Sequence, residues 1–170
     1  MYKVDDYVFH HSEGLCRVDS IEDINNMEGT PITYYFLTPL FSPHATRVMV
    51  PISRAELLLR PPLTKEESTA LIELVKHVKP IKLTQKEIRT LQTLAELSKY
   101  AHEEIVQIIK GLVLREHLLK KDNKVLPITQ RRVLRSAEKL LFDQIAVALD
   151  MDREAIDKKF YQLILVNKKK

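Results

Sequence analysis

The side chains able to do acid–base, nucleophilic or metal chemistry do not form a recognisable catalytic group. The six histidines include no His-x-x-x-His pair, and His102 is followed by two glutamates without the second histidine of a zinc helix. The single cysteine, Cys16, falls on the inward face of a predicted strand, where a thiol acts as a small apolar side chain. With three glycines, the chain has no glycine-rich phosphate-binding string. The sequence therefore predicts a protein that is not an enzyme and needs no cofactor or metal ion.

Basic side chains are the other candidates, and they are concentrated in the second part of the chain. Residues 1–62 contain five Lys and Arg against eight Asp and Glu, a net charge of −3, whereas residues 63–170 contain 22 against 15, a net charge of +7. Arg131, Arg132 and Arg135 cluster within one predicted helix. Such a cluster suits nucleic-acid phosphates, but it also occurs on ordinary solvated helices. Charge alone leaves both interpretations open.

The first third of the chain has the alternating pattern of short β-strands, which are predicted at residues 7–10, 15–24, 32–40 and 45–50. Residues 25–29 contain the Asn and Gly typical of a hairpin connection. In the last strand, Val48 and Val50 are expected to point inward and Met49 outward. This pattern indicates a small, strongly bent sheet or barrel of the SH3 or Tudor type.

From residue 53 the pattern changes to the 3.6-residue period of amphipathic helices. Thr64 with Glu67, and Thr84 with Glu87, match the capping box that opens a helix. Helices are predicted at residues 64–78, 84–99, 101–120, 129–149 and 153–166. The predicted fold class is α+β: a Tudor-like β domain at residues 1–60, then a basic all-α domain at residues 61–170 formed by a compact bundle of about five helices.

Several segments together resemble the CarD/CdnL family of bacterial RNA-polymerase-binding transcription regulators, whose β module also occurs in the transcription-repair coupling factor. Residues 2–9, YKVDDYVF, are similar to the family's opening Phe/Tyr-Lys-Val-Gly-Asp-x-Val-Val-Tyr. Residues 14–18, GLCRV, follow at the family's spacing, and residues 48–51, VMVP, match the strand that closes its β module. Residues 129–137, TQRRVLRSA, resemble its Glu-Arg/Lys-Arg-x-Leu-x-x-Ala helix.

The resemblance implies that the β module binds the β subunit of RNA polymerase through one exposed strand. The positions that match the family's docking residues are Leu37, Val48, Met49 and Pro51. The alternation agrees in part, because an outward Met49 near a sheet edge suits the addition of a strand from another chain. From the residues alone, a tolerated apolar surface residue is the commoner interpretation of Met49.

The resemblance also implies that the helical module contacts promoter DNA through the phosphate backbone, without reading its sequence. The basic candidates for this contact are Lys86, Arg89, Arg131, Arg132 and Arg135. The family adds a tryptophan wedged at the minor groove, whereas this chain has no tryptophan and Lys86 falls near that position. An apolar wedge unstacks a base step, but a lysine can only hold phosphate.

Together with the resemblance, the sequence predicts a non-enzymatic transcription regulator that bridges the polymerase β subunit and promoter DNA. The alternative is an interaction adaptor of the transcription machinery, whose helices bind another protein and never meet DNA. No small-molecule substrate is expected as a partner. No membrane is expected either, because no apolar stretch is long enough to cross a bilayer. The charged start of the chain lacks a signal-peptide pattern, which predicts a cytoplasmic protein held at the nucleoid through RNA polymerase.

Overall fold

The chain folds as two compact units, one spanning Met1–Pro62 and one beginning at Leu63. The computed structural model describes residues 1–42, 44 and 46–167. The first unit is built mainly of β-strands and the second of α-helices, which confirms the predicted α+β class. The first residue of the predicted strand 45–50, and residues 168–170 of the predicted helical domain, lie outside the described residues.

In the described part of the first unit, the strands form a five-stranded antiparallel sheet in the order β4-β3-β2-β1-β5. The strands are β1 (Tyr7–His10), β2 (Gly14–Asn25), β3 (Pro31–Pro39), β4 (Val48–Pro51) and β5 (Leu59–Arg60). A short 3-10 turn, Ile52–Arg54, and helix α1 (Ala55–Leu58) connect β4 to β5. No ladder joins β4 to β5 among the described residues, so the predicted SH3-like or Tudor-like barrel is not confirmed.

The connection between β2 and β3 confirms the predicted hairpin. The Asn26 side-chain oxygen accepts hydrogen bonds from the backbone N–H of Glu28 at 3.0 Å and of Thr30 at 2.8 Å. Gly29 has a φ of +81°, in the left-handed region that glycine enters without steric cost. This local turn chemistry sets the register of the longest ladder in the sheet.

The alternation along each strand separates a buried inner face from the other side of the sheet. Tyr35, Leu37 and Val50 lie on the inner face, and each is almost inaccessible to solvent. Cys16 is also buried here, as its position in β2 predicted. The inner-face core comprises Val8, Cys16, Val18, Tyr35, Leu37, Val50, Ala55 and Leu59.

The described part of the second unit contains six helices, against about five predicted. They are α2 (Lys65–Leu74), α3 (Gln85–Thr90), α4 (Leu94–Leu97), α5 (His102–Lys121), α6 (Ile128–Ala148) and α7 (Arg153–Val166). Both predicted capping boxes are present: the Thr64 and Thr84 hydroxyls accept from the N–H groups of Glu67 and Glu87 at 3.1 and 3.3 Å. Each Glu carboxylate accepts the N–H of its threonine in return.

The single predicted helix at residues 84–99 is wrong, because the chain breaks into α3 and α4. Thr93 begins the second of them with an extended backbone, and its hydroxyl accepts from the N–H of Glu96 at 3.4 Å. Leu91, Leu94 and Leu97 are all buried although they lie on different elements. Their spacing suits one continuous helix, and for that reason the apolar period conceals the break.

Lys110 is a buried cation within α5, and it completes the end of α2. Its ammonium donates to the backbone oxygens of Val75 at 2.8 Å and Val78 at 2.9 Å. These carbonyls follow the last turn of α2, where no helical N–H is available to them. Lys110 therefore joins α2 to α5 by hydrogen bonds rather than by an ion pair.

We expect Lys110→Met to lower the free energy of unfolding by about 1–3 kcal/mol, because two carbonyl groups lose their donor. Methionine keeps the length and apolar stem of the side chain, so the loss reports on the hydrogen bonds. Urea unfolding followed by circular dichroism measures it. The matched control is Lys121→Met, an exposed position on the same helix, expected to change stability by less than about 0.5 kcal/mol. Equal stability of the two variants would contradict this role.

Candidate docking and nucleic-acid surfaces

One side of the sheet, opposite the inner-face core, carries apolar side chains from three neighbouring strands. Phe36 lies opposite Met49 in the ladder between β3 and β4. Tyr34 lies opposite Pro51 in the same ladder. Opposite residues of an antiparallel pair share a face, and every second residue returns to it. We call this surface the outer face, and its apolar residues are Ile24, Ile32, Tyr34, Phe36, Met49 and Pro51.

The structure divides the four predicted polymerase-binding residues between the two sides of the sheet. Met49 is 47% exposed, and half-buried Pro51 lies on the same side. Val48 is partly buried and packs against the inner-face core. Leu37 is 0% exposed, so its side chain cannot contact a partner while this core is intact. The side chains of Met49 and Pro51 are therefore the two of this set that a partner can reach on the outer face.

Arg47 covers part of the outer face and is held by acidic neighbours. Its guanidinium carbon lies 4.6 Å from the centroid of the Phe36 ring, a cation–π distance. The same side chain donates to the Ser20 hydroxyl at 2.9 Å and pairs with Asp19 at 3.8 Å and Glu22 at 3.9 Å. Phe36 is consequently buried within the unit, whereas Met49 beside it stays open to solvent.

Asp19 is the acidic centre of this cluster and lies at the bulge in β2. A hydrogen bond from the Thr38 hydroxyl, together with the charges of Arg17 and Arg47, holds the pKa of Asp19 below its usual value. The carboxylate is therefore ionised at neutral pH and offsets part of the charge of Arg47. The rim of the outer face is closer to neutral than its arginines suggest.

Strand β4 lies at one end of the sheet, and no strand pairs with its outer edge in the part of the chain that the structure describes. Such an edge presents backbone N–H and C=O groups to which another chain can hydrogen-bond. Sequence reasoning identified Met49 but missed Tyr34, Phe36 and Ile32. Both faces of residues 34–37 are apolar or aromatic, so alternation could not assign these side chains to a face, and only the register does so.

Two of the predicted basic residues, Arg131 and Arg135, lie one turn apart on α6. They line a shallow depression of about 280 Å³ together with Glu116 and Lys120 of α5. Arg131 donates to the backbone oxygen of Leu126 at 3.1 Å, which orients its guanidinium beside the start of α6. Both arginines remain exposed to solvent.

Arg132 lies on a different side of α6, toward the segment that follows α3. Ser136, one turn further along α6, donates to the backbone oxygen of Gln92 at 2.9 Å. Residues four apart share a helix face, so Arg132 is on the α3 side. Lys86 and Arg89 are exposed on α3 itself, three positions apart. The five predicted cations are therefore all exposed. They form two groups rather than one patch: Arg131 with Arg135, and Arg132 with Lys86 and Arg89.

Arg135 is tied to a buried carboxylate that sequence reasoning missed. Glu138 is almost inaccessible to solvent, and it accepts from Arg135 at 3.1 Å and from the Tyr161 hydroxyl at 2.7 Å. Burial raises the pKa of Glu138 above its usual value, opposed by the Tyr161 hydrogen bond and by Arg135. The ionised form of Glu138 offsets the charge of Arg135, so less of that charge is left to attract another anion.

The raised pKa of Glu138 predicts a pH dependence of stability. The folded state holds this proton more tightly than the unfolded chain, so stability falls as pH rises from the usual glutamate range to the raised pKa. Glu138→Gln removes this titration, and we expect its free energy of unfolding to fall less steeply than the parent's over that interval. Urea unfolding at a series of pH values tests this. Asp143 also has a raised pKa and is present in both proteins, so the difference between them isolates Glu138. Parallel pH profiles would contradict the assignment.

The described ranges contain no group of three or more His, Cys, Asp or Glu side chains placed to hold a metal ion. None of the helices in residues 1–42, 44 and 46–167 combines the length and the apolar character that spanning a bilayer requires.

The N-terminal unit matches a known domain family. Residues 2–63 match the CarD-like/TRCF RID domain, a segment that contains every strand of the sheet described above. This is a protein-interaction domain rather than a catalytic one, and it associates with RNA polymerase. No curated protein matches the chain. Over residues 2–63, the N-terminal unit is therefore similar to the CarD-like/TRCF RID domain family.

Proposed function

We propose that the protein is a transcription regulator whose N-terminal unit docks on the β subunit of RNA polymerase and whose helical unit contacts promoter DNA without sequence preference. The CarD-like domain supports RNA polymerase as the partner. The proposal includes four further details: contact with the β subunit, contact with promoter DNA, a Tudor-like form of the sheet and a location at the nucleoid.

One observation carries the docking proposal: an open sheet edge and an apolar outer face meet at β4. An added strand forms backbone hydrogen bonds to the edge, and side chains on the exposed face give the contact its specificity. Met49 is the most exposed apolar residue of β4 and lies beside Phe36 and Pro51. We therefore assign Met49 the central position in the interface and leave the buried Leu37 outside it.

The DNA contact rests on the two groups of exposed cations on α3 and α6. Arginine and lysine neutralise phosphates and release condensed counterions, which gives affinity without reading sequence. Docking on the polymerase would hold these cations near the promoter at an effective concentration in the millimolar range, so a weak intrinsic affinity is sufficient. Lys86 can hold a phosphate there but cannot unstack bases.

Copurification tests the docking proposal. The tagged full-length chain is used in two separate assays, one with a bacterial lysate and one with purified RNA polymerase. We expect it to recover the β subunit in both. Crosslinks placed at positions flanking strand β4 would identify the polymerase subunit that the chain contacts, which we expect to be the β subunit. Recovery of polymerase with crosslinks only to other subunits would contradict the assignment to β. Failure to recover polymerase in either format would contradict the function.

For the DNA contact, we expect Arg131→Glu combined with Arg132→Glu to weaken binding to duplex DNA by a similar factor for all sequences. The slope of log affinity against log salt should become shallower by up to about two, one for each lost phosphate contact. The matched control reverses an adjacent exposed pair on α7, Lys158→Glu with Lys159→Glu. Both measurements use the full chain and fluorescence anisotropy. Identical salt slopes for the two double variants would remove Arg131 and Arg132 from the interface.

A second candidate function is an adaptor that binds the polymerase and another protein but not DNA. Two observations favour it: lysine occupies the position near the family's tryptophan, and Arg135 is paired with buried Glu138. A gel shift on forked promoter DNA, with and without polymerase, distinguishes the two functions. The regulator retards DNA further in the presence of polymerase and loses this effect with the α6 double variant. The adaptor leaves the DNA contacts of the polymerase unchanged.

A further inference from the structure

We propose that a cleft in the helical unit binds a small organic anion that has an apolar body and one hydrogen-bond donor. The cleft has a volume of about 350 Å³ and lies between the segment at residues 80–83, the start of α3, the middle of α5 and the start of α6. This size lies in the range of small-molecule sites in proteins. The outer face of the sheet and the five predicted DNA-binding cations take no part in it.

Gln130 supplies the polar group that points to a ligand. It lies at the start of α6, is only 5% exposed, and lines the cleft. Its side-chain oxygen is fully buried and has no hydrogen-bond partner within the described residues. An unsatisfied buried acceptor is costly and uncommon, because most buried polar atoms are paired. If the Gln130 amide group turns toward the cleft, an N–H or O–H group of a bound ligand would satisfy this oxygen.

The charges that line the cleft determine the sign of the ligand. Lys82 and Arg115 line it, and neither makes an ion pair in the described part of the chain. The described lining includes no aspartate or glutamate. Two unpaired cations beside an apolar wall favour a carboxylate or a similar anion over a neutral or cationic molecule.

The walls of the cleft are apolar and one of them is fixed in place. The backbone N–H of Ile81 donates to the oxygen of Gln107 at 3.2 Å, which attaches the segment to α5. Gly111 packs so closely there that an added Cβ would lie 2.2 Å from the Ile81 oxygen. Leu118 forms part of the opposite wall and is exposed, so a ligand would remove its surface from water. The remaining apolar walls come from Leu83, Ile88, Leu112 and Leu114.

Indole-3-propionate is a suitable probe because it carries an apolar ring, one N–H donor and a carboxylate. The chain has no tryptophan, so indole emission excited beyond the absorption band of tyrosine reports on the probe without background from the protein. We expect saturable binding to the full chain. Tryptamine, with the same ring and a positive charge, should bind at least about tenfold more weakly. No saturation, or equal affinity for the two probes, would overturn the proposal.

Two variants test the assigned contacts. Arg115→Gln should weaken indole-3-propionate binding by roughly three- to tenfold, whereas Lys158→Gln, an exposed lysine on α7, should not change it. Gln130→Leu should abolish the preference for indole-3-propionate over 1-naphthaleneacetate, a competitor without an N–H group. If Gln130→Leu does not fold, Gln130→Glu tests the same contact, because a second anion in the cleft should repel the probe. Unchanged affinity in folded Arg115→Gln, or an unchanged probe preference in folded Gln130→Leu, would overturn the assignment.

Discussion

Replacing Met49 with aspartate is expected to lower the affinity for RNA polymerase at least about a hundredfold while leaving the fold intact. Met49 is exposed in the free chain, so a carboxylate there is solvated and costs the folded state little. In the complex the same carboxylate would be buried against an apolar surface without a partner, which is strongly unfavourable. Surface-immobilised polymerase and the purified full-length variant give the affinity directly.

The control for this prediction is Leu57→Asp, which introduces the same charge in the same unit. Leu57 lies in α1, is 73% exposed and is not part of the outer face. Its substitution should leave polymerase affinity within about threefold of the parent. Circular dichroism and thermal unfolding confirm that both variants are folded. If Met49→Asp binds as well as Leu57→Asp, the outer face is not the docking surface.

The second large effect is expected for stability, at the contact between α6 and α7. Phe142 and Phe160 are both fully buried, and their ring centroids lie 4.4 Å apart. Truncating Phe160 to alanine removes this ring pair and leaves a cavity in the core of the helical unit. We expect the free energy of unfolding to fall by about 3–5 kcal/mol, a large part of the stability of a small domain. Urea unfolding followed by far-ultraviolet circular dichroism measures the loss of helix.

Val125→Ala is the matched control within the same unit, since Val125 is 74% exposed. It should change stability by no more than about 0.5 kcal/mol. Phe160→Ala should also leave the capture of polymerase intact, because the proposed docking surface lies entirely within the first 62 residues. A stability loss below about 1 kcal/mol for Phe160→Ala would place the centre of the helical core elsewhere.

Local signals in the sequence predicted those parts of the fold that depend on neighbouring residues. The capping boxes at Thr64 and Thr84 fixed two helix starts, and the alternation of Val48, Met49 and Val50 fixed which side of β4 is exposed. Each of these features is decided within one turn or one strand.

Features decided by pairing across the fold could not be predicted in the same way. The outer face exists because the register places Tyr34 and Phe36 beside β4, and an aromatic run does not encode which side each ring takes. The sequence suggests that Glu138 is an exposed helical residue. Only the structure shows that it is buried and accepts a hydrogen bond from Tyr161 on another helix. The break at Thr93 is different, because Thr93 and Glu96 match a capping box that a regular leucine spacing concealed.

Hydrogen exchange of the full chain, with and without purified RNA polymerase, tests the docking claim most directly. β4 is an edge strand in the free protein, so those of its amide groups that face away from β3 should exchange readily in the absence of a partner. We predict that polymerase slows exchange in β4 and in the neighbouring segment of β3, because an added strand and a covered outer face shield both. Unchanged exchange across Val48–Val50 in a complex that is demonstrably formed would contradict the account.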